Sequence, residues 1–248
     1  MSNCYNESMK TLIIVPCYNE QETILSLYHE ILEKTSCDVM VINDCSTDDS
    51  REILRRENIP HIDLPLNLGI GGAVQTGYRY ALQHGYDIGL QLDGDGQHDP
   101  EQVKLIVAPI EQNNADLVVG SRYIKKTGFQ SSTMRRFGIK IFKLLIFCLS
   151  GKRITDATSG FRAANRKVMQ LFDENYAFDY PEPESNMLAL RNKLRVVEVP
   201  VTMRERQGGV SSIKSLQSVY YMMKVSLGII ISSTMKVKNN EIEEKNAD

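Results

Sequence analysis

The chain lacks any C-x-x-C pair, any long apolar run and any appreciable net charge, and each absence removes a class of function. Its five cysteines (Cys4, Cys17, Cys37, Cys45, Cys148) are odd in number and scattered. That argues against a zinc site or a disulfide framework and for a reducing compartment. No stretch reaches the ~18 uninterrupted apolar residues of a confident spanning helix. The first ten residues are polar rather than a basic-then-apolar leader, so a cytoplasmic chain is expected. A formal charge of −2 gives no general pull toward nucleic acid. Internal repeats and low-complexity linkers are also missing. What remains, 248 residues with 42% hydrophobic and 24% charged side chains, is an ordinary folded protein with ample core.

Short apolar runs alternate with helical patterns through the first half, the mark of an α/β fold with a parallel sheet covered on both faces. Strands are expected at Thr11–Val15 (closed by Pro16), Val39–Ile42, His61–Leu64, Ile88–Leu92 and Leu117–Gly120. Helices are expected at Glu20–Lys34, from a Ser46 or Thr47 cap through Arg56, at Gly71–His84, and after Asp99-Pro100-Glu101, with proline at the first helical position.

The densest chemistry follows the strand at Ile88. Leu92 leads into Asp93-Gly94-Asp95-Gly96-Gln97-His98, where glycines let the chain turn as it leaves the sheet. Asp93 and Asp95 can then converge on one hard cation, Mg²⁺ or Mn²⁺, leaving positions open for phosphate oxygens. Of the two plainer readings, a calcium loop fails on spacing, because it needs Gly where His98 stands and Glu where Lys104 stands, and an ordinary polar turn stays open. Three other strand ends are also polar: Pro16-Cys17-Tyr18-Asn19-Glu20, Asn43-Asp44-Cys45-Ser46 and Asn67-Leu68-Gly69. Ligands of open parallel sheets bind outside the carboxyl ends of the strands. There Tyr18 could stack on a base, and Asp44 could accept from its amide edge or cap the helix that follows. Gly69, Gly71 and Gly72 lack the dinucleotide spacing and are read as letting a helix N-terminus approach the nucleotide.

Between Ser121 and Thr155 nine Lys and Arg residues meet no Asp or Glu. Phe137, Ile141, Leu144, Leu145 and Phe147 recur there at helical spacing beside Lys140 and Lys143. The pattern fits a packed helix with a solvated basic face, or an amphipathic helix on an anionic membrane. Ser215–Ser233 is a second greasy stretch, which must bury its apolar side in the core, a partner or lipid.

Taken together, Ile14-Val15-Pro16-Cys17-Tyr18-Asn19-Glu20, Val41–Asp48, Asn67-Leu68-Gly69, Asp93–His98, Gly120-Ser121-Arg122-Tyr123, Asp156–Arg162 and Arg206–Ser211 resemble the family 2 glycosyltransferases of the GT-A fold. The likeness is greatest to the dolichol- or polyprenyl-phosphate sugar synthase branch. It implies a nucleoside held by Pro16, Tyr18, Glu20, Asp44 and Gly69, with Asp93 near ribose or metal. It further implies metal and diphosphate on Asp95 and Gln97. Phosphates of donor and acceptor would face Arg122 and Arg135 or Arg136, and a loop with Arg206 and Ser211 would close over the diphosphate. Related enzymes place acceptor-side carboxylates where Asp179–Glu184 stands, and Glu184 is the preferred base; a dipole-complementing charge at a helix start is its other reading.

The resemblance therefore implies a Mg²⁺- or Mn²⁺-dependent inverting transferase on the inner membrane face. It would move sugar from a nucleotide to a polyprenyl phosphate, with a membrane-protein partner left open. The alternative acceptor is a hydroxyl of a cell-surface polysaccharide or lipid-linked glycan. A sugar nucleotidyltransferase is disfavoured, because it would want a Gly- and Arg-rich loop after the first strand. A non-catalytic nucleotide-sugar-binding subunit is disfavoured by intact Asp93, Asp95 and Arg206. The expected organisation is an extension (1–10), the GT-A domain (11–213), an amphipathic or partner-binding helix (214–235) and a charged, unstructured tail (236–248).

Overall fold

A computed structural model describes residues 9–125, 133–177, 181–205 and 217–234, and of 133–137 and 217–221 the backbone alone. The expected N-terminal extension up to residue 8 and the charged tail lie outside the described residues.

Seven strands form one sheet in the order β3-β2-β1-β4-β6-β5-β7. The parallel core consists of β1 (Thr11–Cys17), β2 (Asp38–Asn43), β3 (His61–Asp63) and β4 (Ile88–Gln91). β1, β2 and β4 are mostly apolar and buried on both faces because both faces are covered, whereas the edge strand β3 is His-Ile-Asp and half-buried. Ile13, Val15, Val41, Ile88 and Leu90 point into one core, with Ile24, Leu27 and Ile31 of α1 (Ile24–Lys34), Leu54 of α2 (Ser50–Arg56) and Ile106. Leu12, Ile14, Met40 and Ile42 point into the other, against Val74 and Tyr78 of α3 (Gly69–Gln83). Each such buried Leu or Ile contributes roughly 1.5–3 kcal/mol.

The carboxyl half breaks the parallel pattern. The helix α4 (Val103–Glu111), which carries Ile106, leads to β5 (Leu117–Ser121) and then α5 (Thr133–Ser150). The strand β6 (Arg162–Asn165) then inserts antiparallel between β4 and β5. After α6 (Arg166–Asn175) and α7 (Pro181–Arg191), β7 (Val196–Pro200) pairs parallel with β5. The last described helix is α8 (Gln217–Thr234). It packs with α5 and α7 around Phe142, Ile146, Met187, Val225 and Ile229 in a third cluster, which Val196 of β7 also touches.

The expected elements are present with shifted ends. β1 continues through Pro16 to Cys17, since proline there removes a donor without ending the pairing with Ile42. Neither Ser46 nor Thr47 caps α2, which starts only at Ser50. Those residues serve the adjoining loop instead: Ser46 Oγ accepts from Asn19 N–H, and Thr47 N–H donates to Asn19 Oδ1. The expected proline stands at the first helical position, Pro100, and Asp99 caps that turn, its carboxylate accepting from Glu101 N–H at 3.1 Å.

Candidate active site

The carboxyl ends of β1, β2 and β4 meet the start of α3, and side chains stitch their loops together. Asn19 and Cys45 adopt left-handed backbone, each with φ 57°. Asn19 N–H reaches Ser46 Oγ (3.1 Å), and Glu20 N–H reaches Ser50 Oγ (2.9 Å). Asp44 is almost fully buried and accepts from Leu68 N–H at 2.7 Å. Its carboxylate thus sits at the entrance to α3, where a negative charge complements the helix dipole. Burial pushes the Asp44 carboxyl up, against the opposing pull of the Leu68 and Gly69 amides. Tyr18, by contrast, is 46% exposed, a free ring face beside the buried acid.

The loop after β4 is held from three sides. Gly94 packs so tightly on β1 that a Cβ there would lie 2.9 Å from the Pro16 carbonyl, and Thr23 Oγ1 donates to the Gly94 carbonyl at 2.8 Å. Gly96 turns the chain with φ 74°. Asp95 is 7% exposed and accepts from Gln97 N–H at 3.1 Å. His98, buried and stacked on Phe161 with centroids 4.8 Å apart, accepts the Asp93 N–H on Nδ1 at 3.0 Å. Its Nε2 stands 3.7 Å from Asp93 Oδ2. Gln91 Nε2 donates to Asp93 Oδ1 at 2.9 Å. Gly160 backs the same carboxylate; a Cβ at 160 would come within 2.6 Å of Asp93 Oδ2. The Gln97 carbonyl accepts from Arg204 N–H, whose guanidinium binds Glu30 and Asp99.

This donor set suits a hard divalent ion. Among the described residues no group of three or more His, Cys, Asp and Glu gathers. A pair of carboxylates plus substrate phosphates is the usual way Mg²⁺ is held at nucleotide sites. Glycine at 160 lets the Asp93 carboxylate and the Gln91 amide pack directly against the backbone there.

Of the arginines expected to face phosphates, only Arg122 has a described side chain. Arg122, just past β5, is 5% exposed and forms a two-pronged pair with Asp156. Nε lies 2.7 Å from Oδ2 and Nη2 lies 2.8 Å from Oδ1. Burial works against the guanidinium charge, but Asp156 outweighs it and holds the Arg122 pKa above its ordinary value. Glu198 of β7 fastens the same loop by accepting from the Thr155 and Asp156 amides. Arg135 and Arg136 fall on the part of α5 described by backbone alone, and Arg206, Ser211 and Asp179 lie outside the described residues.

Glu184 stands in the first turn of α7 with its carboxylate pressed against Gly228 of α8, which leaves no room for a side chain there. Together with Tyr176, Ser185, Leu188 and Ile231 these residues line a cavity of about 350 Å³. Pro16, Glu20, Asp44, Gly69, Asp93, Asp95 and Gln97 therefore share one end of the sheet, whereas Glu184 is set by α7 and α8. Sequence reasoning gave no role to His98, Gln91, Asp156, Gly160 or Arg162. For four of these the signal was there, because Asp93–His98 and Asp156–Arg162 are part of the resemblance; only Gln91 lies outside it.

Comparison with known proteins bears on this arrangement. The sequence model described as Glycosyl transferase family 2 matches residues 12–172. The undecaprenyl-phosphate mannosyltransferase of Micrococcus luteus is 30% identical over 82% of this chain and 87% of its own length. The polyprenol monophosphomannose synthase of Mycolicibacterium smegmatis is 28% identical over 88% and 86%. The UDP-N-acetylglucosamine–dolichyl-phosphate N-acetylglucosaminyltransferase of Methanococcus voltae is 25% identical over 88% and 97%. Among solved structures, glucosyl-3-phosphoglycerate synthase from Mycobacterium tuberculosis, in complex with Mn²⁺, UDP and phosphoglyceric acid, superposes with a TM-score of 0.70. That likeness, at 18% identity over 93% of this chain and 80% of the other, shows a shared fold.

Proposed function

Because the chain belongs to glycosyl transferase family 2 and is a glycosyltransferase, we propose that it moves a sugar from a nucleoside diphosphate to a polyprenyl phosphate at a membrane surface. The observation that carries the reading is the Asp93–Asp95 loop, clamped by His98, Gln91 and Gly160, beside buried Asp44. The three relatives, each named for a lipid-phosphate acceptor, support the acceptor class.

Asp44 and Tyr18 hold the nucleoside, with Pro16, Glu20 and Gly69 shaping its seat. Asp93, Asp95 and Gln97 hold Mg²⁺ or Mn²⁺, which when bound neutralises charge on the diphosphate. An acceptor phosphate oxygen attacks the anomeric carbon as the bond to the diphosphate oxygen breaks, so a single displacement inverts that centre. The nucleoside diphosphate leaves with the bonding electron pair. An acceptor phosphate, with a second pKa of about 6, gives up no proton in this step and needs no base. Arg206 and Ser211 close over the diphosphate, and Arg135 or Arg136 meets the acceptor phosphate. Arg122 acts through Asp156 on the loop that backs Asp93.

The site works at the inner face of the membrane, docked through α5 and α8. Among the described residues no helix is long and apolar enough to cross a membrane. Yet α5 and α8 contain no Asp or Glu and expose Leu144, Phe147, Met223, Leu227, Ile230 and Ile231. Apolar stripes with flanking Lys and Arg suit an anionic bilayer.

The test is a thermal-shift screen of nucleoside diphosphates and their sugars with Mn²⁺, followed by transfer to a short-chain polyprenyl phosphate. A donor-dependent shift with formation of a lipid-phosphate sugar is expected. Transfer to a glycan hydroxyl that Glu184→Gln abolishes would replace the acceptor assignment.

A further inference from the structure

Among the described residues Arg162 is one of the largest side chains with less than 2% of its surface exposed, and the reading above gives it no task. It opens β6 directly opposite Gln91 of β4. Among the described residues its guanidinium meets only uncharged acceptors. Nε and Nη2 donate to the Ser159 carbonyl at 3.2 and 2.7 Å, and Nη1 donates to Ser185 Oγ at 2.6 Å. No ion pair with a described carboxylate accompanies these bonds. The hydroxyl of Ser185 passes the connection on to the Glu182 carbonyl in the first turn of α7. Burying a guanidinium is expensive, and an apolar side chain of similar volume would serve stability as well or better.

The two ends of this bridge differ in function. On one side, Ser159 leads directly into Gly160, whose backbone lies against the Asp93 carboxylate and the Gln91 amide. On the other, Ser185 follows Glu184 and begins the buried run of α7. Asn186 Nδ2 adds a second tie between the same parts by donating to the Ala157 carbonyl at 3.3 Å. The planar fork of arginine presents donors to two fixed acceptors in a rigid geometry, which the compact ammonium of lysine matches only in part and an apolar residue not at all.

We infer that Arg162 is a positioning residue: it sets the spacing between the Asp93 loop, which holds the donor, and the start of α7, which packs on α8, the helix proposed above to dock at the membrane that carries the acceptor. The inference rests on the sugar-transfer reading. It concerns alignment rather than bond-making, since Arg162 is buried behind the loop it braces. Misalignment of reacting groups lowers turnover without weakening ground-state binding. It also leaves the activated donor open to attack by water.

The experiment compares the native protein with Arg162→Met, Arg162→Lys and Ser185→Ala, using Mn²⁺, the donor found in the screen and a short-chain polyprenyl phosphate. Melting temperature, donor KM, kcat and the ratio of sugar transferred to donor hydrolysed are measured well below the melting point. Arg162→Met is expected to fold, keep donor KM within about twofold, lose at least tenfold in kcat and shift toward hydrolysis. Arg162→Lys recovers part of the ratio, and Ser185→Ala, which keeps the guanidinium, shows a smaller shift the same way. A purely structural arginine would change the melting temperature and leave the ratio alone. A folded Arg162→Met with native kcat and ratio overturns the inference; if that variant does not fold, a native ratio in Ser185→Ala does so. Native protein that releases no nucleotide from any donor overturns the sugar-transfer reading itself.

Discussion

Cutting the buried Arg122–Asp156 pair at one end is the sharpest perturbation available. Asp156 is fully buried and Arg122 nearly so, with two short hydrogen bonds between them. Removing the carboxylate by Asp156→Ala leaves a guanidinium in the interior with Thr158 Oγ1 among its remaining acceptors. Breaking one partner of such a pair costs about 3–5 kcal/mol. In a domain of this size each kcal/mol moves the melting temperature by roughly 2–4 °C, so a drop of roughly 6–20 °C is expected. The matched change Arg122→Met with Asp156→Leu removes both charges and should recover most of that loss. Differential scanning calorimetry of the native protein, Arg122→Met, Asp156→Leu and the double variant closes the cycle, with Asp156→Ala measured beside them. A single variant within 3 °C of the native protein, or a double variant as unstable as the singles combined, would refute the claim that Arg122 is held structurally by Asp156.

Three further outcomes follow from the site and its surroundings. Burial raises the Asp44 carboxyl above its ordinary 3.8, and a raised carboxyl costs folding stability once pH passes its folded value. Asp44→Asn should therefore raise the ligand-free melting temperature at pH 7, lose that gain below about pH 4, and weaken nucleoside-diphosphate binding by calorimetry. Gly160→Ala would set a methyl 2.6 Å from Asp93 Oδ2. Overpacking of that kind costs ~1–3 kcal/mol, and the Mn²⁺ concentration for half-maximal activity should rise; an unchanged value would separate Asp93 from the metal. Leu227 of α8 is 58% exposed, and Leu227→Glu should keep activity on a detergent-dispersed acceptor. Co-flotation with phosphatidylglycerol vesicles should be lost; binding equal to native would remove α8 from the docking surface.

Much of the donor half is readable from sequence because its strands are apolar runs buried on both faces, ended by polar loops. Thr11–Cys17 and Asp38–Asn43 announce themselves in this way, and so does the Asp93–Gln97 turn. The later half is harder. The four residues Arg-Ala-Ala-Asn of β6 have neither alternation nor β-branching; their strand exists because β4 and β5 stand on either side of them. Arg122 illustrates the other limit. Its place after β5 is visible in the sequence, but its partner lies 34 residues onward, and only the folded chain tells a paired arginine from one that faces phosphate. Ser46 and Thr47 look like helix caps, yet Asn19 engages both because the β1 and β2 exits lie side by side.

The insertion of β6 between β4 and β5 also bears on how the enzyme can be taken apart. A fragment stopping after Ser121 would hold every nucleoside and metal contact assigned here, yet its sheet would have a gap one strand wide in the middle. Ile88–Gln91 and Leu117–Ser121 would each present open backbone to solvent or to another copy. Domain swaps among relatives should accordingly exchange whole chains or surface helices, since no cut between the nucleotide half and the lipid half leaves either one closed.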